Sequence, residues 1–351
     1  MGNIKIKKYA FVAVLLTFIF CSGCIEITAG TWNDIGYVLD GMGRYQEAIE
    51  AYDKALEINP EYALAWYNKG VAFNGMGRYE EAIEAFDKAL EIDPKDADSW
   101  NNKGYAFDRM GKYEEAIEAY DKAIRIKPND PHSWYNKGVI FNSTGRYEEA
   151  IEAYDRSLEI DPKDANAWNN KGISLAGIGR YEEAVSAFDE ALELKLDFEL
   201  AWYNKGNSLN DMGRFEEAIE AFDKALEIDP EYAYAWNNKG LSLAGVGRYE
   251  ESVYAFNKAL KIDPKNSFTW FNKGYSLSIL GRYEEAIEAY DKAIEINPDD
   301  ALTWCNKGYA LNTTGRYEEA TEAFDKAMEI DPEEVKAFDE EARIIYTKRS
   351  Q

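Results

Sequence analysis

From residue 31 to residue 332 the apolar positions follow a helical period, and they do so twice in every 34 residues. In residues 66–73, WYNKGVAF, Trp66, Gly70 and Phe73 fall at i, i+4 and i+7, one face of a first helix. In residues 79–92, YEEAIEAFDKALEI, Tyr79, Ala82, Ile83, Phe86 and Leu90 share one face of a second helix. Between them GMGRY breaks the period, with Gly77 suited to a helix end. Pro94 cannot extend the second helix and marks the next turn. Glu80 and Glu81 sit in a first turn, where the helix dipole favours anions. Spacing predicts i,i+4 pairs at Glu84/Lys88, Glu118/Lys122 and Glu288/Lys292. No stretch alternates with the period of a strand.

The unit recurs at a constant step. Tryptophan stands at 32, 66, 100, 134, 168, 202, 236, 270 and 304 and nowhere else. One glycine row lies four residues after each Trp, from Gly36 to Gly308, and a second lies eleven after, from Gly43 to Gly315. Proline closes every unit except one: in ALELKLDFELAW, residues 191–202, Leu196 takes its place. An altered turn is expected there, with Leu196 or Phe198 partly exposed. A fixed step of this size marks a stacked array, because one helix pair cannot bury its own apolar face. Trp is the expected filler between units, worth ~4–6 kcal/mol if fully buried. Gly70 leaves room for close approach of the partner helix.

These residues carry a family resemblance. Trp66, Gly70, Phe73, Ala82, Phe86 and Pro94 match the pattern W-x2-L-G-x2-Y, A-x3-F, P, with Lys69 where the pattern has Leu. The chain resembles tetratricopeptide repeat proteins over residues 31–332. The resemblance implies an all-α, right-handed α-solenoid of nine antiparallel helix pairs in residues 32–332, with peptides bound on a concave side lined by first helices. Residues 333–351 are expected to form a capping helix and tail, since Phe338 and Ala342 continue the first-helix register.

The N-terminal end is different. Residues 1–24 run from Lys5, Lys7 and Lys8 through the apolar Tyr9 to Phe20 to Ser22, Gly23 and Cys24. This is the layout of a secretory signal, and it resembles a lipoprotein signal with Cys24 as the lipidated residue. The other reading is an uncleaved anchor, for which Tyr9 to Ile25 is at the lower limit of length. Either places the repeats outside the cytoplasm on a membrane, and the short linker 25–31 holds the first pair near the bilayer.

The formal charge is −25, and −28 once residues 1–23, with three Lys and no acid, are set aside. Most of the acid lies on second helices, a solvated face that repels nucleic acid. Three cysteines give no disulfide framework and no Cys-based metal site. His132 is the only histidine and has no catalytic partners around it, so it reads as a surface residue. No phosphate-binding loop or calcium loop occurs, and neither a metal, a cofactor nor an enzymatic activity is implied. Asn142 and Asn312 stand in glycosylation sequons.

The residues that vary within the constant frame point to the ligand surface. Positions two before Trp, and one, five and eight after it, share one helical stripe. One after Trp come Asn33, Tyr67, Asn101, Tyr135, Asn169, Tyr203, Asn237, Phe271 and Cys305. Five after, the candidates are Tyr105, Asn207, Tyr275 and Tyr309. This lane of rings and amides has few charges, Asp108 with Arg109 and Asp211, and suits an extended or helical peptide segment. The family's carboxylate-gripping variant needs Lys one after Trp, which this chain lacks. The Lys69/Lys103/Lys137 row is expected to cover apolar surface and meet neighbouring acids. The sequence thus points to a non-catalytic, exported, membrane-anchored scaffold for a protein partner. A structural lipoprotein of an envelope or filament assembly, and an accessory subunit of an envelope enzyme, are the alternatives.

Overall fold

The computed structural model describes residues 28–333, 335 and 336. The signal-like segment and most of the expected capping helix lie outside the described residues. The chain divides into two compact units, residues 1–174 and 175–351, and the division falls within one helix. Among the described residues all regular structure is helical.

In the first unit the helices are α1 (Ala29–Gly41), α2 (Tyr45–Ile58), α3 (Ala63–Gly75), α4 (Tyr79–Ile92), α5 (Ala97–Arg109), α6 (Tyr113–Ile126), α7 (Pro131–Ser143), α8 (Tyr147–Ile160) and the start of α9 (Ala165–Gly177). The second unit holds α10 (Tyr181–Leu194), α11 (Glu199–Asp211), α12 (Phe215–Ile228), α13 (Ala233–Gly245), α14 (Tyr249–Ile262), α15 (Ser267–Ile279), α16 (Tyr283–Ile296), α17 (Ala301–Thr313) and α18 (Tyr317–Ile330). Within each unit an odd-numbered helix packs along the even-numbered helix that follows it, which in turn packs on the next odd one. Successive odd helices also touch, as α3 does α5 and α13 does α15. Each unit is an all-α stack of helix pairs, the solenoid arrangement expected.

The turn inside each pair is made by glycine. Gly77 has φ +74°, a left-handed backbone that ends α3, and the eight equivalent glycines behave alike. The Arg after it reaches forward to the Glu three residues on, as Arg146 does to Glu149 at 2.7 Å. The i,i+4 expectation holds at Glu118/Lys122, 2.9 Å. It fails at Glu84/Lys88 and Glu288/Lys292, where the lysines turn forward to Glu91 and Glu295 at 2.7 and 2.6 Å. Both geometries are open to a flexible, exposed lysine and differ little in energy.

Trp packs against the core without being its fully buried filler. All nine indoles are only half-buried. The fully buried rings are on even-numbered helices: Tyr52, Phe86, Tyr120 and Tyr154 in the first unit, and Phe188, Phe222, Phe256 and Tyr290 in the second. Each sits against the glycine sixteen residues earlier where that contact is described, and a Cβ on Gly70 would lie 2.6 Å from Phe86 Cε1. The indole has a different task. Trp66 Nε1 donates to the carbonyl oxygen of Pro60 at 3.0 Å, tying the helix to the turn that precedes it. Seven other tryptophans repeat the bond. At the irregular junction Trp202 Nε1 finds the carbonyl of Leu196 at 3.1 Å, so the turn is kept without proline. Leu196 is 73% exposed there, whereas Phe198 is buried.

The lysine row does what was expected of it. Lys69 Nζ lies 2.6 Å from Asp53 on α2 and 5.1 Å from the Trp66 ring centroid. Its stem covers apolar surface while its ammonium meets an acid.

Candidate functional site

In the first unit the odd-numbered helices build an open concavity of about 630 Å³. It is lined by Tyr67 of α3, by Asp98, Asn101 and Asn102 of α5, and by His132, Tyr135 and Asn136 of α7, with Lys127, Asp130, Asp164 and Asn166 at its edge. The structure therefore brings together the predicted Tyr67, Asn101 and Tyr135. The sequence reading missed the charge here. Asp98 and His132 stand two before Trp, inside the stripe already defined, and the N-terminal ends of α7 and α9 add Asp130 and Asp164. That Asp four residues before Trp caps a helix was the available signal.

The rings are fixed from below. Tyr67 stacks at a tilt on Phe86, centroids 6.0 Å apart, and Tyr135 on Tyr154 at 5.9 Å. Their hydroxyls meet the next repeat. Asn102 Nδ2 donates to Tyr67 Oη at 3.3 Å and to the Asp98 carbonyl at 2.9 Å. Asn170 Nδ2 donates to Tyr135 Oη at 3.1 Å. Burial, with help from Asp98 and Asp96, pushes the Tyr67 phenol up to about 12. Burial and Asp164 raise Tyr135 as well. Both phenols are neutral at pH 7. Each accepts from an amide and keeps its own O–H to donate.

The amides divide differently. Asn101 Oδ1 accepts from Ser133 Oγ at 3.2 Å and Asn136 Nδ2 at 3.3 Å. Asn33, Asn169 and Asn237 are buried. Asn33 Oδ1 accepts from Asn68, Asn169 Nδ2 donates to Asn170 Oδ1, and Asn237 Oδ1 accepts from Thr269 Oγ1. The amides of Asn33 and Asn237 thus serve contacts between neighbouring helices, while that of Asn169 bonds within its own helix α9. In the second unit Tyr203 Oη and Asn207 Oδ1 both accept from Asn238 Nδ2, at 3.2 and 2.7 Å. Phe271 rests on Tyr290, centroids 6.1 Å apart. Tyr105 and Tyr275 are exposed and Tyr309 is half-buried. Of the two sequon residues, Asn312 is exposed, while Asn142 Oδ1 accepts from Ser174 Oγ at 2.9 Å.

Tetratricopeptide repeat models match residues 33–97 and 101–165, residues 153–186, and the successive stretches 200–232, 233–266, 267–300 and 301–334. The chain belongs to the tetratricopeptide repeat family. Members of this family are generally non-catalytic scaffolds for protein–protein interaction that bind protein or peptide partners. A crystal structure of YrrB, described as a tetratricopeptide repeat protein with an unusual peptide-binding site, is similar at 29% identity. The match covers 53% of this chain and 96% of that one, with a TM-score of 0.47. Two structures of MamA are similar at 29% identity, covering 49% and 46% of this chain and 93% and 94% of theirs, with TM-scores of 0.45 and 0.44. No curated protein matches the chain. Among the described residues no helix is long and apolar enough to cross a membrane.

Proposed function

We propose that this tetratricopeptide repeat scaffold binds an extended peptide segment of a protein partner in the concavity between Tyr67 and Tyr135. The observation that carries the reading is the pair of neutral phenols, each held by a neighbouring asparagine with an O–H left over, at positions one repeat pair apart. Such donors suit the carbonyls of an extended backbone. Asp98, Asp130 and Asp164 outnumber Lys127, so the segment is expected to carry basic side chains. Labelled peptides differing only in Lys, Ala or Glu content should rank in that order by fluorescence anisotropy. Replacing Tyr67 and Tyr135 together by Ala should weaken the Lys-rich peptide at least about tenfold, two lost hydrogen bonds at ~1 kcal/mol each with ring contact besides. Equal affinity for all three peptides, or an unaffected double variant, refutes the site.

The same reading places the scaffold on the outer side of a membrane, held through Cys24 or an uncleaved apolar segment. Its support is the basic, apolar, small-residue order of residues 1–24. Fatty-acid labelling that persists in Cys24→Ala argues for another attachment. A second reading, a component of a lasting assembly, draws on the second unit. There Leu200, Tyr234 and Phe268, each two before Trp, are 45%, 60% and 58% exposed. A stoichiometric complex that survives gel filtration would favour it.

A further inference from the structure

Seven lysines three residues after Trp meet the Asp sixteen residues earlier: Lys69, Lys103, Lys137, Lys171, Lys205, Lys239 and Lys307. The eighth, Lys273 of α15, has Asn257 at that place. Among the described residues it forms no ion pair. It is half-buried, with Nζ 4.8 Å from the Trp270 ring centroid. It opens on a cleft of about 420 Å³ whose other walls are Trp270, Glu285, Glu288, Ala289, Asp291 and Lys292. Most charges around it are already matched. Arg282 holds Glu285 at 2.6 Å, Lys307 holds Asp291 at 2.6 Å and Lys292 holds Glu295 at 2.6 Å. Glu288 forms no ion pair among the described residues. Burial pulls Lys273 below the ordinary lysine value and Arg282 adds to this, against Glu285 and Glu288.

We infer that Lys273 is a reactive lysine of this array and that it captures uncharged aldehydes as a Schiff base. A partly desolvated lysine without an ion pair gives up its proton more readily than its seven paired counterparts, and the free amine is the form that attacks carbonyl carbon. The carboxylates of the cleft repel anionic electrophiles, and the Trp270 ring offers a flat floor, so an uncharged aromatic aldehyde fits best. In the step itself the Nζ lone pair forms a bond to the carbonyl carbon, and the oxygen takes up a proton to give a carbinolamine. The carbon–oxygen bond then breaks, water leaves, and the carbon–nitrogen double bond forms. Both hydrogens of the water derive, in net terms, from the amine. Glu288, a carboxylate lining the same cleft, is the group proposed to carry protons between nitrogen and oxygen, and no oxidant or reductant is consumed.

The test uses the full chain with benzaldehyde and cyanoborohydride at neutral pH, and peptide mass spectrometry to locate benzylated lysines. Lys273 should be labelled at least about fivefold faster than Lys239, whose Nζ is engaged by the Asp223 carboxylate. Asn257→Asp restores the pairing of the other repeats and should bring Lys273 down to the level of Lys239. Asp223→Asn should raise Lys239, and 4-carboxybenzaldehyde should label Lys273 more slowly than benzaldehyde. Equal labelling of Lys273 and Lys239 in the unaltered chain overturns the inference, and so does a rate at Lys273 that Asn257→Asp leaves unchanged. Preference for the anionic aldehyde overturns the assignment of ligand class.

Discussion

Replacing Gly70 by Ala separates two opposed physical expectations. Gly70 lies inside α3, and an Ala in a helix interior is ordinarily favoured over Gly by ~1 kcal/mol. On helix propensity alone the variant is stabilised. The structure predicts the opposite sign. A Cβ at Gly70 would sit 2.6, 2.8 and 2.8 Å from Cε1, Cδ1 and Cζ of Phe86. Phe86 is fully buried, so its ring has nowhere to go without moving α4. Overpacking of this kind costs about 1–3 kcal/mol, and three ring contacts under 3 Å put it at the upper end. After the propensity gain the net loss is about 1–2 kcal/mol. Gly308 supplies the control. Its Cβ would meet Phe324 at 3.0–3.1 Å, and Phe324 is only partly buried and free to yield. Gly308→Ala should cost about 0–1 kcal/mol. Urea unfolding followed by circular dichroism reads the global effect. Hydrogen exchange in α3 and α4 localises it, because repeat arrays need not unfold in one step. In a Phe86→Leu background the Gly70→Ala cost should fall by at least about 1 kcal/mol. Stabilisation by Gly70→Ala, or equal costs at Gly70 and Gly308, refutes the packing argument.

Trp236→Phe removes the 2.9 Å bond from the indole to the Pro230 carbonyl and should cost about 1 kcal/mol by urea midpoint, beyond the area lost. Trp202→Phe should cost the same, because the Leu196 carbonyl replaces that of proline; a markedly smaller loss would show the irregular turn to be loose. Asp40 stands in the last turn of α1, where burial raises its pKa and one carboxylate oxygen has no partner. Its folded pKa exceeds the unfolded one, so its favourable contribution is present at low pH and is lost as pH rises through the folded value. Asp40→Asn should therefore raise the denaturation midpoint at pH 7 and change little at pH 3, because the equivalent Asn74 can donate to the Asn102 carbonyl at 3.2 Å. Buried phenols act in the alkaline range. Tyr67 and Tyr232 are raised to about 12 while unfolded tyrosine titrates near 10, so stability should hold below pH 10 and fall above it. Absorbance at the tyrosinate band, with circular dichroism beside it, should show ionisation and unfolding together; ionisation of all tyrosines near pH 10 with the helices intact contradicts this.

Much of the fold was legible because the repeat supplies nine copies of each constraint. Gly77 marked a left-handed turn, Gly70 a close approach, and the Lys69 row a set of acid partners, all from spacing. The role of Trp was not legible. Its size argued for the core, but a residue at the start of a first helix lies beside the turn, and its N–H finds a turn carbonyl that no sequence pattern announces. The aromatic ring twenty residues later takes the buried place because the glycine opposite leaves a hole only a flat ring fills. Charge in the concavity was missed for a similar reason. Asp130 and Asp164 are helix caps by sequence, and only the stacking of α5, α7 and α9 sets them beside Asp98 and His132.

The alternation of Asn and Tyr one residue after Trp looked like ligand chemistry and has another physical use. The asparagine two after Trp needs a partner for its amide. When the preceding repeat offers Tyr67, Tyr135 or Tyr203, that partner is a phenol oxygen at 3.1–3.3 Å. When it offers Asn33 or Asn101, the partner is an amide oxygen at 2.9–3.3 Å. The two solutions differ in what they leave over. In the amide case the oxygen's acceptor capacity is largely spent between repeats. In the phenol case the oxygen accepts and its proton remains available outward. Alternation of the two therefore spaces outward donors at every second repeat while satisfying the joints that follow Asn33, Tyr67, Asn101, Tyr135 and Tyr203. Asn272 is the exception: its preceding residue in this row is the buried Asn237, whose oxygen accepts from Thr269 Oγ1, and Asn272 Nδ2 is left buried without a partner. A joint with one unmet amide is the weaker joint, by about 1–3 kcal/mol, so the array's cohesion and its display of donors follow from the same choice of one residue per repeat.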